Sequence, residues 1–179
     1  MKKLIFIGGI HGVGKTTICN EIVSTYSLDF YSASEIISNA KKEQFSSSKL
    51  IPDIEDNQFY LIEGIKNAKS VHQYSLLDGH FCLINDKREV SKIPEFVFDE
   101  IHPVALIIVI DEISTIIKRL EKRDSNTYDA LFLEKFQYEE IEYSKLLANR
   151  LNIPLQIYNQ AIDSRNLLHE FITNLGVGK

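Results

Sequence analysis

The sequence predicts an α/β fold in which helices cover both faces of a parallel sheet. Short, continuously apolar runs such as VALIIVI at Val104–Ile110 are typical of strands that are buried on both faces. Longer segments with helical periodicity alternate with these runs along the chain, as they do in parallel sheets. A glycine-rich turn directly after the first run, Lys3–Gly8, marks the passage from the first strand into the first helix.

The predicted elements follow each other without an internal repeat or a low-complexity linker. The strand segments are short and mostly apolar, at residues 3–8, 28–31, 74–77, 104–110 and 155–158, with an extended stretch at 81–84 that ends in a turn at 85–86. The helical segments carry apolar residues along one side, at residues 15–26, about 53–72, 94–101, 112–123, about 130–152 and 164–174, with one more opened by the capping-box pair Ser32 and Glu35. Polar breaks lie at 44–52, which ends in Pro52, and at 124–129. We therefore expect a single domain over residues 1–179.

Composition excludes several classes of protein. The 179 residues are 44% hydrophobic and 25% charged, a mixture typical of a globular protein with its own core. The net charge of -5 argues against nucleic acid as the main partner. No apolar stretch is long enough to span a bilayer or to form a signal peptide, so we expect a cytoplasmic protein. Cys19 and Cys82 are expected to be reduced, buried and free of metal.

The glycine-rich turn carries the most specific motif of the chain. Residues 9–16 read Gly9-Ile10-His11-Gly12-Val13-Gly14-Lys15-Thr16 and fit G-x-x-x-x-G-K-[ST] at each fixed position. A random chain of this length carries that pattern less than about once in a hundred cases. Glycines allow positive φ and bring backbone N–H groups close to phosphate oxygens, and the positive end of the next helix completes an anion site. We therefore expect residues 9–17, ending at Thr17, to bind ATP with Mg²⁺.

Within this motif, single side chains have distinct expected roles. Lys15 would reach the β- and γ-phosphates as a point charge, and Thr16 would offer its hydroxyl to magnesium. His11 is expected to pack within the loop and not to act in acid–base catalysis. Asp78 ends the apolar strand YSLLD, where a carboxylate can hold a magnesium-bound water, although an aspartate that simply begins a turn with Gly79 is the plainer alternative.

Two arginines, four residues apart, follow the apolar strand predicted at 104–110. Arg119 and Arg123 share one face of a helix within IIKRLEKRD, just before the polar break at 124–129. Two guanidinium groups there would neutralise charge on the transferred phosphoryl group. Lys118 and Lys122 form a similar pair, so an ordinary solvated basic face remains open.

The chain resembles the adenylate kinases of archaeal type and their relatives among the small P-loop nucleotide kinases. The resemblance covers nearly the whole chain and rests on GIHGVGKTT at 9–17, LLDGH at 76–80, EIHPVALIIVIDE at 100–112 with the preceding Pro94 segment, IIKRLEKRD at 116–124 and LNIPLQIYNQ at 151–160. It implies a five-stranded parallel sheet, an acceptor-binding insertion at about 32–72, a short lid at about 119–130, and transfer of the γ-phosphoryl group of Mg-ATP to AMP. Asp78 and His80 fall on the family's Asp-x-His motif, and Arg119 and Arg123 fall on its first two lid arginines.

Departures from that family concern the lid and the acceptor. The stretch 124–129 (DSNTYD) stands where the family carries further arginines, and residues 43–60 hold no arginine for the acceptor's phosphate. Lys49 and Arg88 are the nearest substitutes. Ser32 and Ser34, at the start of the second helix, are candidates to hold an anionic acceptor.

Three functions remain open from the sequence. A kinase for a nucleoside monophosphate or another small acceptor needs positioning and charge neutralisation more than a covalent enzyme group. An ATP-dependent switch or assembly factor, with little or no kinase activity, would suit the thin lid. A GTPase is the weakest of the three, because the chain has no Asn-Lys-x-Asp motif. The exposed face of the long helix, with Tyr138, Glu139 and Tyr143, is a possible surface for a protein partner.

Overall fold

The computed structural model describes residues 3–45, 54–85, 87–124 and 126–178. Its main sheet has five parallel strands in the order β2-β3-β1-β6-β7. The strands of the described residues are β1 Lys3–Gly8, β2 Leu28–Ser32, β3 Tyr74–Asp78, β4 Cys82–Ile84, β5 Val90–Lys92, β6 Pro103–Ile110 and β7 Leu155–Asn159. The helices are α1 Lys15–Thr25, α2 Ala33–Phe45, α3 Ile54–Asn67, α4 Glu95–Ile101, α5 Ile113–Asp124, α6 Ala130–Leu151 and α7 Arg165–Asn174. The predicted α/β fold with a five-stranded parallel sheet is confirmed, and it is the fold of P-loop nucleotide-binding proteins.

Apolar side chains on both faces explain why the middle strands form the core. The four residues Leu4–Ile7 of β1 are at most 3% exposed, and Ala105–Val109 of β6 are 0% exposed. Burial on both faces is the reason why these strands read as unbroken apolar runs. Cys19 and Cys82 are buried free thiols within this core.

The strand register places the carboxyl ends of three strands at one edge of the sheet. Ile7 of β1 pairs with Asp78 of β3, and Gly8 pairs with Ile108 of β6. The turn after β1 therefore lies between the turns that follow β3 and β6. This edge is where ligands bind in open α/β sheets.

The third helix is shorter than predicted. α3 ends at Asn67 and not near residue 72, because the carboxylate of Asp29 accepts hydrogen bonds from the Ser70 hydroxyl and from the backbone N–H groups of Val71 and His72. The predicted start of this helix near Asp53 lies outside the described residues, as do residues 46–52 of the break predicted at 44–52. Residues 44 and 45 belong to α2, so the prediction that the break begins at 44 is wrong.

A small hairpin follows β3 that the sequence predicts only in part. β4 and β5 pair antiparallel as a second, two-stranded sheet, with Cys82 opposite Lys92. The side chain of Asn85 accepts from the backbone N–H groups of Lys87 and Glu89 and so forms the turn. The extended stretch at 81–84 is thus confirmed, but its partner strand was not predicted, since three residues carry too little periodicity to signal a strand.

The long helix α6 packs one side chain into the core that was expected on its surface. Tyr143 is 2% exposed, and its hydroxyl donates to the carbonyl oxygen of Ile93 at 2.5 Å. The prediction of an exposed Tyr143 is therefore wrong, whereas Tyr138 is 59% exposed. None of the helices in the described ranges is both long and apolar enough to cross a membrane.

Candidate functional site

The turn between β1 and α1 has the backbone of a phosphate-binding loop. Gly9, Gly12 and Gly14 have φ of 142°, 79° and 95°, a region that side chains with a Cβ rarely adopt. A Cβ at Gly9 would also lie 2.5 Å from the carbonyl oxygen of Val109, so β6 leaves no room for any other residue there. The loop therefore needs its glycines for conformation and for close approach to the neighbouring strand.

Helix α1 begins with its positive end open. Its N-cap residue is Gly14, no side chain caps it, and no acidic residue lies in its first turn. The first backbone N–H groups of a helix lack partners within the helix, and together with the helix dipole they attract an anion. This start of α1 fits a phosphate group.

Lys15 is a buried cation beside that helix start. It is 8% exposed, its Nζ donates to the carbonyl oxygen of Gly9 at 2.7 Å, and the same nitrogen lies 4.0 Å from Oδ1 of Asp78. Burial lowers the pKa of Lys15, and the charges of Asp78 and Glu140 oppose this change. Burial likewise raises the pKa of Asp78, against the effect of Lys15. The site thus holds a charge that an anionic ligand would stabilise.

Oxygen donors suited to magnesium lie next to this cation. Thr16 is exposed at the start of α1, and Asp78 is half-buried at the end of β3. Among the described residues no group of three or more His, Cys, Asp or Glu side chains could hold a metal by itself. Magnesium typically keeps several waters and takes one or two protein oxygens plus phosphate oxygens, so Thr16 and Asp78 fit a magnesium–triphosphate.

The turn after β3 is fixed by a carboxylate of α6. Glu140 is 0% exposed. Its Oε1 accepts from the backbone N–H groups of Phe81 and Cys82, each at 3.1 Å, and it lies 3.6 Å from Nδ1 of His80. Burial raises the pKa of Glu140 to about 7, although the Cys82 amide, Lys15 and the Phe81 amide lower it.

Two histidine rings meet, tilted at 50° to each other, where this turn contacts the loop after β1. The ring centroids of His11 and His80 are 4.4 Å apart. Burial is the main reason why the pKa of His80 is lowered to about 3. The charge of Lys15 also lowers this pKa, and a hydrogen bond with the Gly9 backbone opposes the decrease. Desolvation also lowers the pKa of His11 to about 4, although an edge of this residue is exposed. Both imidazoles are therefore neutral near pH 7.

Arg119 of α5 is held against the loop from the other side. Its Nη1 lies 2.8 Å from Oδ2 of Asp111 and donates to the carbonyl oxygen of Val13 at 3.2 Å. Asp111 directly follows β6, and its side chain is 5% exposed, whereas that of Arg119 is 43% exposed. The guanidinium thus sits at the rim of the loop with part of its surface open to a ligand.

These groups open into one cavity of about 550 Å³. Its lining includes the loop, Asp78, His80 and the arginines of α5, together with residues of α2, α3, α4 and the hairpin. The apolar part of the lining includes Phe6, Ala33, Ile37, Leu61, Leu83, Ile93, Val97 and Phe98. Further polar groups of the lining are the hydroxyls of Ser32 and Ser34, which are 2.9 Å apart, and the side chain of Gln58; Ser32 pairs with Asp78 in the sheet. Gln58 is 2% exposed, and its Oε1 has no hydrogen-bond partner among the described residues.

A comparison with protein families agrees with this geometry. The model of a family described as AAA domain matches residues 8–148, which is well over half of the chain. The chain belongs to the AAA domain family. The match includes the loop after β1, the Asp78 turn, Arg119, and Glu140.

Solved structures share the fold of this AAA-domain protein at low identity. A gluconokinase from Sinorhizobium meliloti 1021 is 13% identical with a TM-score of 0.55, and the alignment covers 97% of this chain and 91% of that one. A sugar kinase from Janibacter sp. HTCC2649 is 15% identical with a TM-score of 0.59, covering 99% and 96%. An uncharacterized protein from Eubacterium ventriosum ATCC 27560 is 13% identical with a TM-score of 0.54, covering 98% and 99%. Such identities show the fold alone, and no curated protein matches the chain.

Most of the residues singled out in the sequence of this AAA-domain protein meet in the cavity. Its lining includes Ile10, His11, Gly12, Gly14, Lys15, Thr16, Ser32, Ser34, Asp78, His80, Arg119 and Arg123. Gly9, Val13 and Thr17 belong to the same loop and helix start without lining the cavity. Arg88 is not brought there: it is exposed at the hairpin turn with a φ of 60°. Lys49 and residue 125 of the lid lie outside the described residues.

The sequence analysis missed three residues of the site. Glu140 and Gln58 are buried polar side chains, and Asp111 anchors Arg119. A signal for Glu140 was present, because it continues the buried face of α6 four residues after Phe136 and three before Tyr143. A carboxylate at a core position of a helix indicates a partner elsewhere in the fold.

Proposed function

We propose that this protein is a phosphotransferase that moves the γ-phosphoryl group of Mg-ATP to a small acceptor. The observation that carries the proposal is that the Lys15 loop and a set of apolar side chains with Gln58 line one cavity of about 550 Å³. A volume of this size is typical of small-ligand sites. A nucleotide switch needs a seat for the nucleotide alone, whereas a kinase needs a second compartment next to the phosphates.

The donor end would act through charge and position. Lys15 and Arg119 would contact the phosphates, Arg123 would close over them, and Thr16 with Asp78 would hold Mg²⁺. When bound, the metal supplies positive charge to the β- and γ-phosphate oxygens. In the transfer, the bond from the γ-phosphorus to its bridging oxygen breaks, a bond to the acceptor oxygen forms, and ADP leaves. Water would be excluded by the apolar walls of the cavity.

The acceptor end favours a molecule with a planar apolar part. Its walls are formed largely by Phe, Leu, Ile and Val side chains, and its polar groups are two hydroxyls and one carboxamide. A nucleoside monophosphate is the first acceptor to test, with the base near Gln58 and the phosphate near Ser32 and Ser34 at the start of α2. This choice also follows the resemblance to archaeal-type adenylate kinases, and AMP is therefore the first nucleoside monophosphate to test.

The fixed positive charges of the described lining are Lys15, Arg119 and Arg123, all at the donor end. A phosphate-bearing acceptor would therefore bind through hydroxyls, a helix start and charges shared with ATP. This arrangement also supports a second candidate function, an ATP-driven switch with slow hydrolysis. The two functions differ in whether a small acceptor accelerates ATP turnover.

The test is ATP consumption by the purified protein with Mg²⁺ and a panel of acceptors. The panel holds the nucleoside monophosphates, and it also holds gluconate and neutral sugars because two similar solved structures are sugar kinases. We expect at least one acceptor to raise turnover about a hundredfold over the rate without acceptor, and the Lys15→Met variant to abolish the increase. ATP turnover that ignores every acceptor and rises only with a protein partner would replace the kinase with the switch.

A further inference from the structure

A buried carboxylate connects the longest helix to the turn that carries Asp78 and His80. Glu140 lies in the middle of α6, and its two oxygens accept the N–H of Phe81 at 3.1 and 3.2 Å. Oε1 also accepts the N–H of Cys82 at 3.1 Å. These two amides are the first of the chain after the Asp78–His80 turn, so α6 fixes the backbone on which that turn ends.

Burial of the Glu140 carboxylate costs free energy that an apolar side chain at this position would not cost. A fully buried carboxylate loses its hydration, and an apolar side chain of the same size packs at lower cost. The neighbours of Glu140 on the same helix face, Phe136 and Leu147, are such side chains. The hydrogen bonds to Phe81 and Cys82 are what an apolar residue could not supply.

Contacts continue from Glu140 to the phosphate-binding loop. Nδ1 of His80 lies 3.6 Å from Oε1 of Glu140 and has no hydrogen-bond partner in the described ranges, while the same imidazole is hydrogen-bonded to the Gly9 backbone. The carbonyl oxygen of Gly9 accepts the hydrogen bond from Nζ of Lys15. If the turn moved, both Asp78 and Lys15 would therefore be displaced.

We propose that Glu140 is a positioning residue: it holds the backbone at Phe81 and Cys82, and thereby the placement of Asp78 and His80 relative to Lys15. Its importance for phosphoryl transfer rests on the proposed function. Its effect on the turn does not, and the unliganded protein reports that effect directly.

The experiment compares two variants of matched size. Glu140→Gln keeps the length of the side chain and an oxygen that accepts from both amides, but loses the carboxylate. Glu140→Met keeps the length and suits an apolar neighbourhood, but accepts no hydrogen bond. Glu139→Gln is the control, since Glu139 is the adjacent residue of α6 and its carboxylate lies 4.0 Å from Nζ of Lys92.

Amide hydrogen exchange, measured by NMR without nucleotide, reports whether the hydrogen bonds at the end of the turn are intact. We expect exchange of the Phe81 and Cys82 amides to rise at least about tenfold in Glu140→Met and to stay within about threefold of wild type in Glu140→Gln and Glu139→Gln. If Glu140→Met does not fold, Glu140→Asp takes its place, because the shorter carboxylate draws back from both amides. Unchanged exchange at both amides in the folded variant overturns the proposal.

Enzyme kinetics measure how the loss of these hydrogen bonds affects phosphoryl transfer. We expect kcat to fall at least about tenfold in Glu140→Met, with the Kd for Mg-ATP within about threefold, since the loop after β1 itself is intact. Glu140→Gln should restore most of kcat. A variant that is only less stable, with normal kcat per folded molecule, contradicts a positioning role. If the wild type transfers no phosphoryl group to any acceptor, the proposed function fails, and the exchange data still decide whether Glu140 holds the turn.

Discussion

The carboxylate of Asp111 pairs with the guanidinium of Arg119, with 2.8 Å between Oδ2 and Nη1. The same Nη1 donates to the carbonyl oxygen of Val13 in the phosphate-binding loop. Arg119 would otherwise lose side-chain entropy on binding a phosphate, so its pairing with a nearly buried aspartate prepares it for the ligand. Asp111 would therefore support the proposed ATP site without touching ATP.

The variant Asp111→Asn tests this pairing. It keeps the size of the side chain but removes the charge, and we expect the affinity for Mg-ATP to fall about three- to tenfold, which corresponds to about 1 kcal/mol. Isothermal titration calorimetry measures it. Glu112→Gln, at the next and exposed position, is the control, and equal affinities for all three proteins would show that Arg119 needs no anchor.

Removal of the buried cation should separate binding from stability. In Lys15→Met we expect Mg-ATP affinity to fall at least about a hundredfold, since the phosphates lose their nearest charge. The free energy of unfolding should change little, because the desolvation cost of the ammonium and its attraction to Asp78 are lost together. Titration calorimetry and urea unfolding give the two quantities. Lys92→Met, on the exposed hairpin, is the control, and retained ATP binding in Lys15→Met would remove the basis of the proposed donor site.

The buried carboxamide of Gln58 makes the acceptor compartment testable. Within the part of the chain that the structure describes, its Oε1 lacks a hydrogen-bond partner, and an unsatisfied buried carbonyl costs about 1–3 kcal/mol. We expect Gln58→Leu to unfold at equal or higher urea concentration, while KM for the acceptor rises at least about tenfold and Kd for Mg-ATP stays unchanged. Gln73→Leu, at an exposed position, is the control. A normal acceptor KM in Gln58→Leu would separate this side chain from acceptor recognition.

Local patterns were sufficient to predict the fold and the residues that the structure brings together around Lys15. The buried strands β1 and β6 are unbroken apolar runs, and the glycines and lysine of the loop lie within eight consecutive residues. Chemistry confined to such a short segment is visible without knowledge of the fold. The same holds for Asp78, because it ends an apolar strand whose carboxyl end must lie at the ligand edge.

Partners distant in sequence could not be predicted in this way. Glu140 is 59 residues from Phe81, and nothing local to α6 indicates which amides its carboxylate meets. Gln58 occupies a helix whose first residues follow the break ending at Pro52, so its orientation toward the cavity depends on how α3 packs against α2 and α4. Arg88 was expected near the acceptor through its position after β3, but the hairpin turn carries it to the surface.

The pKa of Glu140 predicts how stability depends on pH. Burial raises this pKa from 4.5 to about 7, so between these values the folded protein holds a proton that the unfolded chain has released. Stability therefore falls as pH rises, by about 3 kcal/mol in total. Glu140→Gln has no such group, whereas the facing groups His11, His80 and Lys15 are present in both proteins. Urea unfolding at pH 4.5 to 8 should show the wild type losing this stability relative to Glu140→Gln, and parallel curves would mean that Glu140 is ionised throughout.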